Sequence, residues 1–380
     1  MNTYRAKFVL LLIFITYITA CGGGGSGDDG GNDNTDTPSP TAAQKTKLSG
    51  QILGVARGWL WEMDLPTGQF AKIPGTNWAS DDNYNNLASF LLSPGAFDGN
   101  EFILRVRNCL PEDSNTSCIV TLDGNAIKTQ QFSLSGRISG YAKMSRDRQY
   151  VALAIQYGGS ITNDTYLEIY DRSGNLISDT VIANTSVSIS FNWLPDGRLV
   201  FSLGSGNQRS IYFTSAYSTM VERTLTLPAD LPGTIRKVVA NPDGTQLAFS
   251  LVQNSNPATT IAIPWVVNID GTNIRQLAMD PHADGTSNSY INNPKWSPDG
   301  RWILLKYGGA TGGSIDNPGV LGYLFAVPSD GVNVPLSPYD ETIVTTAIHI
   351  KSNWYPVFYD RPPTTFNYDR WPDIDYNWVK

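Results

Sequence analysis

The feature of this 380-residue chain that most restricts its fold is a turn motif that recurs every 47 to 58 residues. In such a turn Pro presets φ, Asp accepts a hydrogen bond from a backbone N–H two residues on, and Gly takes a positive φ. Each copy except the last precedes a short apolar strand pattern, such as residues 246–251. The motif therefore predicts a hairpin between two strands in each repeat. The copies are Ser93-Pro94, Ser145-Arg146-Asp147, Leu194-Pro195-Asp196-Gly197, Asn241-Pro242-Asp243-Gly244, Ser297-Pro298-Asp299-Gly300 and Tyr355-Pro356.

A second turn motif alternates with the first and follows a different apolar strand. Its copies are residues 64–68, 123–125, 171–174, 270–272 and 330–331, each with Asp followed by Gly. Two hairpins in each repeat give four antiparallel strands. About fifty residues that fold into four strands are typical of one blade of a β-propeller.

The number of motifs predicts an all-β chain with six four-stranded blades. The first repeat is incomplete, because residues 48–75 supply patterns for only the second, third and fourth strands of a blade. Residues 347–356 read as an isolated first strand, so pairing of the two chain ends would complete this blade and leave no free sheet edge. Seven blades are the alternative, if residues 357–380 form more strands.

One repeat also resembles a known family. The run Trp296-Ser-Pro-Asp-Gly-Arg-Trp-Ile303 closely resembles the W-S-P-D-G repeat of TolB-like propellers, and residues 193–197 and 241–244 are weaker copies. The resemblance extends over most of residues 48–356. It implies a propeller architecture and is nearly silent on activity.

The N-terminal residues predict export. A cationic start, a short apolar run and a small residue before Cys21 are typical of a secretory signal over residues 1–20. Residues 18–21 resemble the lipobox of bacterial lipoproteins, which implies that Cys21 carries a lipid; an ordinary signal peptide is the alternative. Because Gly22 follows, the resemblance points to the outer membrane, with the body periplasmic or surface-exposed.

Composition divides the remainder of the chain. Residues 21–46 are rich in Gly, Asp, Asn and Pro and predict a disordered tether. The propeller is expected over residues 47–360, followed by an aromatic tail over residues 361–380. This tail could stack on a sugar or dock a partner, but packing over the propeller is the preferred interpretation.

Charge and cysteine content restrict the partners. The net charge is −7 and the basic residues are scattered, which argues against nucleic acid. Besides Cys21, the chain holds Cys109 and Cys118, and export allows them to form a disulfide worth about 2–3 kcal/mol. Two free thiols or a metal pair are the alternatives.

Binding is expected on one face of the propeller. The predicted connections between second and third strands are long, as are two connections between blades, over residues 76–86 and 280–293. Loops on a rigid frame often carry function, although chance variation in loop length is the alternative. The candidate binding residues on this face are Asp113, Asn163, Asn256, Trp265, His282, Asp284 and Asp316.

Residues for catalysis are few. The chain has two histidines, His282 and His349, and no nucleophile-elbow motif. His349 is expected on the closing strand, beside the central channel. We therefore assign no catalytic residue, metal ligand or cofactor. The sequence favours a membrane-anchored scaffold that binds a protein partner in the cell envelope; a carbohydrate-binding or lyase-like propeller with a channel site is the alternative.

Overall fold

The structure, a computed structural model, divides into two units, Met1–Thr37 and Pro38–Lys380, and its described residues lie in the second. Within them every regular element is a β-strand, as the all-β prediction requires, and no helix could cross a membrane. The described residues are 48–56, 59–65, 70–72, 93–94, 101–107, 116–123, 128–135, 137–138, 142–156, 164–183, 189–204, 208–231, 233–256, 259–282, 289–308, 323–338, 340, 342–344, 346–350 and 375–379.

The first half of the described strands forms three antiparallel sheets, A to C, in chain order. Sheet A contains β1 (Gln51–Ala56), β2 (Trp59–Asp64) and β3 (Phe70–Lys72). Sheet B contains β4 (Ser93–Pro94), β5 (Glu101–Arg107), β6 (Thr116–Asp123) and β7 (Lys128–Ser135). Sheet C contains β8 (Arg137–Ile138) and β9 (Lys143–Met144), which both pair with β10 (Tyr150–Gln156), and then β11 (Thr165–Asp171) and β12 (Leu176–Ala183).

Three further groups, sheets D to F, repeat this order. Sheet D contains β13 (Ile189–Trp193), β14 (Leu199–Leu203), β15 (Ser210–Thr214) and β16 (Val221–Thr226). Sheet E contains β17 (Thr234–Ala240), β18 (Gln246–Asn256), β19 (Thr259–Asn268) and β20 (Arg275–Gln276). Sheet F contains β22 (Ser289–Trp296), β23 (Trp302–Tyr307), β24 (Tyr323–Pro328) and β26 (Ile348–Ile350). Two short strands, β21 (Ala278–Met279) and β25 (Val334–Pro335), pair with each other outside these sheets.

Sheets E and F are joined at two points. Strand β22 pairs in parallel with β19 over two residue pairs, Ile261 with Ser289 and Ala262 with Tyr290. Strand β25 pairs in parallel with β21 rather than with β24. The outer place beside β24 is taken by β26. The chain between β24 and β26 therefore reaches across to sheet E before it returns.

Sheet A is completed by the C-terminal end of the chain, but by a different segment from the one predicted. The final strand, β27 (Asp375–Val379), pairs with β1 and places Trp378 opposite Ile52. The prediction that residues 347–356 close this sheet is wrong, because β26 within that range pairs with β24. Residues 375–379 of the predicted tail form a strand of sheet A rather than packing over other strands.

The first strands of the six sheets follow one another in space. In order they are β27, β4, β9, β13, β17 and β22; each lies beside the next, and β22 lies beside β27. The apolar cores lie between neighbouring sheets: for example, Leu304 and Leu324 of sheet F pack with Ile52 and Met63 of sheet A. The described cores thus lie between sheets B and C, C and D, D and E, E and F, and F and A.

Candidate binding surface

The predicted turns that follow β9, β13, β17 and β22 have the geometry that their residue types require. The Ser145 hydroxyl donates to the Asp147 carboxylate (2.6 Å) and accepts from the Tyr150 N–H (2.9 Å). The same bonds recur within residues 297–302, at 2.6 and 2.9 Å. Arg148 takes a φ of 62° at the place where the other described turns have glycine. We call the side of the sheets on which these turns lie the turn side.

On the turn side, side chains of the fourth strands of sheets C, D and E bond to the next sheet. Arg223 of β16 donates to the Ile269 carbonyl of sheet E (2.8 Å). Arg275, at the matching place in β20, donates to the Ser329 carbonyl of sheet F (2.5 Å). In sheet C the corresponding Ser178 accepts from a backbone N–H of sheet D (3.1 Å). These bonds fix neighbouring sheets to one another.

Arg146 makes a longer connection across the turn side. Its guanidinium donates to the backbone oxygens of Asn241 (3.1 Å) and Pro242, so that it connects sheet C to sheet E past sheet D. Burial lowers the pKa of Arg146, and Asp243 partly opposes this effect. The polar groups of the described turns are thus used largely for structural contacts.

On the opposite side, the loop side, one hairpin projects beyond its sheet. Strand β18 has 11 residues, whereas β14 in the neighbouring sheet has five. The pairing of β17 with β18 ends at Thr234 and Val252, but β18 and β19 continue to pair as far as Asn256 and Thr259. We call the extension, residues 253–256 and 259–261, the arm; four residues of strand give it a length of about 13 Å.

The arm is held in place by sheet F. Its parallel pairing with the start of β22 accompanies a small buried cluster of Val252, Ala262 and Tyr290. The Gly308 N–H donates to the Tyr290 carbonyl (3.0 Å), which fixes the start of β22 to the end of β23. These contacts order the arm in advance, so its own conformational entropy is already lost.

A polar cluster lies next to this brace. The Asp280 carboxylate accepts from the Tyr307 hydroxyl and from the His282 backbone N–H, both at 2.9 Å. The side chain and backbone N–H of Thr342 donate to Asp340 and lower its pKa, and nearby His282 lowers it further. We call Asp280, His282, Tyr307 and Asp340 the acid–His cluster; together with the arm it forms the loop-side surface.

The structure places the predicted binding residues in three different ways. His282 is exposed and lies on the loop side. Asn256 lies at the end of β18, and much of the predicted loop at 254–263 is strand. Trp265 lies within β19 and packs partly buried against the core between sheets D and E, so its assignment to a loop is wrong. Asp113, Asn163, Asp284 and Asp316 lie outside the described residues.

The predicted modification sites are only partly described. Cys118 lies in β6, is fully buried and is disulfide-bonded. Its predicted partner Cys109 and the predicted lipidation site Cys21 lie outside the described residues. The same holds for the predicted signal and tether.

His349 is not on a first strand, so its predicted place beside a central channel is wrong. It lies on β26, the outer strand of sheet F, with 9% of its surface exposed. Its ring stacks on Phe325 (4.7 Å between centroids) and meets Tyr323 edge to face (5.6 Å). Across the described ranges, no group of three His, Cys, Asp or Glu side chains could hold a metal ion.

Two features of the sequence were not predicted. Tyr376-Asn-Trp-Val379 copies Phe191-Asn-Trp-Leu194, and this copy marks β27 as a first strand. No turn motif follows this copy, so the spacing of the turn motifs does not reveal it. The second feature is the burial of Lys143, Lys237, Lys295 and Lys306.

No protein-family model and no curated protein matches the chain. Among solved structures, it is similar to the hydrazine synthase of Kuenenia stuttgartiensis (15% identity, 71% of each chain, TM-score 0.42). It is also similar to the GH74 enzyme of Niastella koreensis (10%, 75% of this chain and 45% of that one, 0.45) and to the oligogalacturonate lyase of Vibrio parahaemolyticus (13%, 67% and 71%, 0.42). Likeness at this level carries no argument about what this chain binds.

Proposed function

We propose that this chain is an envelope lipoprotein whose six-bladed propeller binds a protein partner through the loop-side surface. The cyclic order of the six first strands supports the six blades, since β22 lies beside β27 and β27 beside β4. Pairing of β1 with β27 would close the ring without free edges between its ends. The predicted lipid on Cys21 would anchor the body to the outer membrane through the tether.

The observation that carries the binding role is the braced arm. A hairpin that extends past its own sheet contributes little to the core between blades, but here a neighbouring first strand holds it in one position. Such a rigid projection offers backbone and side-chain groups to a partner at a low ordering cost. The adjacent acid–His cluster adds carboxylates, an imidazole and a phenol to the same surface.

The alternative of an enzyme with a site in the channel loses its main candidate. His349 was the residue expected there, and it is packed between aromatic rings on an outer strand instead. We therefore favour the scaffold.

Site-specific photocrosslinking in intact cells tests this proposal. A photoreactive amino acid replaces Asn256 at the arm or His282 in the acid–His cluster. Matched controls replace Asp196 on the turn side and Leu176 on β12, which is half exposed. We expect one discrete adduct from both loop-side positions and none from the controls.

A second variant links the adduct to the arm. Shortening the arm by removing residues 254–260, with a two-residue turn in their place, should abolish the adduct formed from position 282 while the melting temperature changes little. The proposal fails if the loop-side and control positions give the same adducts. It fails equally if the shortened variant keeps its adduct in full.

A further inference from the structure

The arm has one free edge. Its β19 side is occupied, because β22 pairs there through Ser289 and Tyr290. On its β18 side, β17 pairs only as far as Val252. Among the described strands, none pairs with β18 beyond that residue on the side away from β19. Residues 253–256 therefore form a sheet edge whose backbone groups are not used by a described strand.

The register of sheet E shows which backbone groups point out from this edge. The Pro264 carbonyl accepts from the Leu277 N–H (2.9 Å), on the side of β19 away from β18, and proline has no N–H of its own. Pro264 therefore makes no backbone hydrogen bond to Ser250, its partner on β18. Hydrogen-bonded and non-hydrogen-bonded pairs alternate along antiparallel strands, so Val252 and Asn254 likewise direct their N–H and C=O groups away from β19.

The surroundings of Val252 agree with this assignment. A Cβ at Gly233, just before β17, would lie 2.4 Å from the Val252 carbonyl oxygen, so this oxygen points to the β17 side of β18. At Asn254 the same direction leads past the end of β17. One outward N–H and one outward C=O are thus presented together, on a segment that the pairing with sheet F already holds in place.

The chemistry of this edge favours an added strand. A donor and an acceptor on one residue are matched together by one residue of an antiparallel strand. The segment Gln253-Asn-Ser-Asn256 has no charged residue, whereas exposed sheet edges are commonly protected by charges or by a covering segment. The pairing of β18 with β19 shifts between Asn254 and Asn256, which limits the regular edge, so a short segment fits it.

Charge selects the kind of segment. The acid–His cluster adjoins the brace, because Tyr307 donates to Asp280 and pairs with Ile291 near the start of β22. This cluster carries the carboxylates of Asp280 and Asp340, and the net charge of the chain is −7. A second copy of this chain would bring the same negative charge to the interface, whereas a basic segment complements it.

We propose that the free edge of the arm accepts a short, extended, basic segment of the protein partner as an added β-strand, paired with the backbone of Asn254. This inference rests on the proposed partner-binding role and names the chemistry of the contact. Backbone pairing supplies affinity, and lysine or arginine side chains of the segment complement the carboxylates of the acid–His cluster.

Fluorescence anisotropy with the detergent-solubilised full-length protein tests this inference. The probe is a short fluorescein-labelled peptide of alternating valine and lysine, and the matched peptide has glutamate in place of lysine. We expect saturable binding of the lysine peptide, with an affinity that falls as salt rises, and no binding of the glutamate peptide. Absence of binding by the lysine peptide, or equal binding of the two peptides, would overturn the proposal.

Two substitutions at one position separate the backbone from the side chain. Asn254→Pro removes the outward N–H, and proline is tolerated on an edge strand where the N–H faces solvent, so the melting temperature should change little. This variant should weaken binding of the lysine peptide by about tenfold. Asn254→Thr keeps the N–H and should change the affinity less than twofold. Equal affinities of the two variants would refute pairing with the backbone of Asn254.

Hydrogen–deuterium exchange at single-residue resolution covers the case in which Asn254→Pro does not fold. In the wild-type protein, the Asn254 amide should exchange rapidly when free and slowly when the lysine peptide is bound. The Gln253 amide, which points to β19, should be protected in both states. Unchanged exchange at Asn254 despite measured binding would overturn the proposed location.

The outcome is separate from that of the crosslinking experiment. If discrete adducts form in cells but the lysine peptide does not bind, the partner-binding role stands and strand addition is refuted. If the lysine peptide binds at Asn254 but no adduct forms in cells, strand addition stands and the partner-binding role is refuted.

Discussion

Replacement of Trp378 by Phe tests whether the C-terminal strand is a true member of the repeat. Trp378 is 1% exposed, and its indole N–H donates to the Ser49 carbonyl (2.9 Å). Two tryptophans at the matching place in other repeats make similar bonds: Trp193 donates to the Lys143 carbonyl (2.8 Å) and Trp296 to the Val239 carbonyl (3.3 Å). All three are buried, and each indole bonds to a backbone oxygen of another segment.

The expected cost of each Trp→Phe change is about 2 kcal/mol. Loss of one neutral hydrogen bond contributes about 1 kcal/mol. Phenylalanine is smaller by roughly 40 Å³, and at about 24 cal/mol per Å³ the resulting cavity contributes about 1 kcal/mol more. The melting temperature should fall by about 4 °C or more in each variant.

Thermal and urea unfolding followed by far-ultraviolet circular dichroism measures this cost without relying on tryptophan fluorescence. Trp265→Phe is the control, because no described group accepts a hydrogen bond from its buried indole N–H, so only the smaller volume counts. We expect similar losses at Trp378, Trp193 and Trp296, and a smaller one at Trp265. A neutral Trp378→Phe variant beside costly changes at the other two would refute the equivalence of β27 with the other first strands.

Three further predictions concern the connections between sheets and the turns. Glu101→Gln should lower the free energy of unfolding by about 1–3 kcal/mol, because this buried carboxylate pairs with Arg172. A double-mutant cycle with Arg172→Gln, measured by urea unfolding, should give a clear coupling energy, and additive effects would contradict the prediction. Gly50→Ala should lower the melting temperature more than Gly300→Ala. Both glycines have a positive φ, but a Cβ at Gly50 would overlap the Val379 carbonyl oxygen of β27, whereas a Cβ at Gly300 would have its nearest atom 3.5 Å away. Equal melting temperatures of the two variants would refute this prediction. Stability should fall as the pH drops below about 4. Burial raises the pKa of the turn carboxyls, but hydrogen bonds lower it, and the net effect is a pKa below the usual value. Their contribution to stability is therefore complete above the pKa of the unfolded state and is lost as the pH falls through the pKa of the folded state, so urea midpoints that stay constant from pH 5 to pH 3 would contradict the prediction. The carboxyls are those of Asp147, Asp196 and Asp243.

The hairpins could be predicted from the sequence because their causes are local. In Ser145–Tyr150 the groups that form the turn are within five residues of one another, so the residue types alone fix the geometry. The same is true of Asp171, whose carboxylate accepts the N–H groups of Ser173 and Asn175. Repetition of such local structure then gives the four-stranded sheets.

Features that depend on distant contacts could not be predicted in the same way. Residues 254–263 were predicted as a loop, yet pairing with β22 holds part of this stretch as strand. Tyr355-Pro356 resembles the turn motif, and this resemblance led to the wrong prediction that residues 347–356 close sheet A. The actual closing strand has no turn motif, because in sheet A the chain ends replace that turn.

The buried lysines also depend on tertiary structure. Lys295 stands in a strand pattern beside Trp296, and nothing within that strand distinguishes it from a solvent-facing lysine. Its burial follows from the neighbouring sheets. The positive φ of Lys237 likewise results from a mismatch between β17 and β18 that neither strand encodes alone.

The pairing of the chain ends is tested most directly by engineered disulfides. Leu53 and Asn377 are direct partners across β1 and β27, so Leu53→Cys with Asn377→Cys should crosslink rapidly under mild oxidation in a Cys21→Ser background. Leu53→Cys with His349→Cys tests the pairing that the sequence first suggested. We expect near-complete crosslinking of the first pair and none of the second; crosslinking of the second pair alone would contradict closure of sheet A by the C-terminal strand.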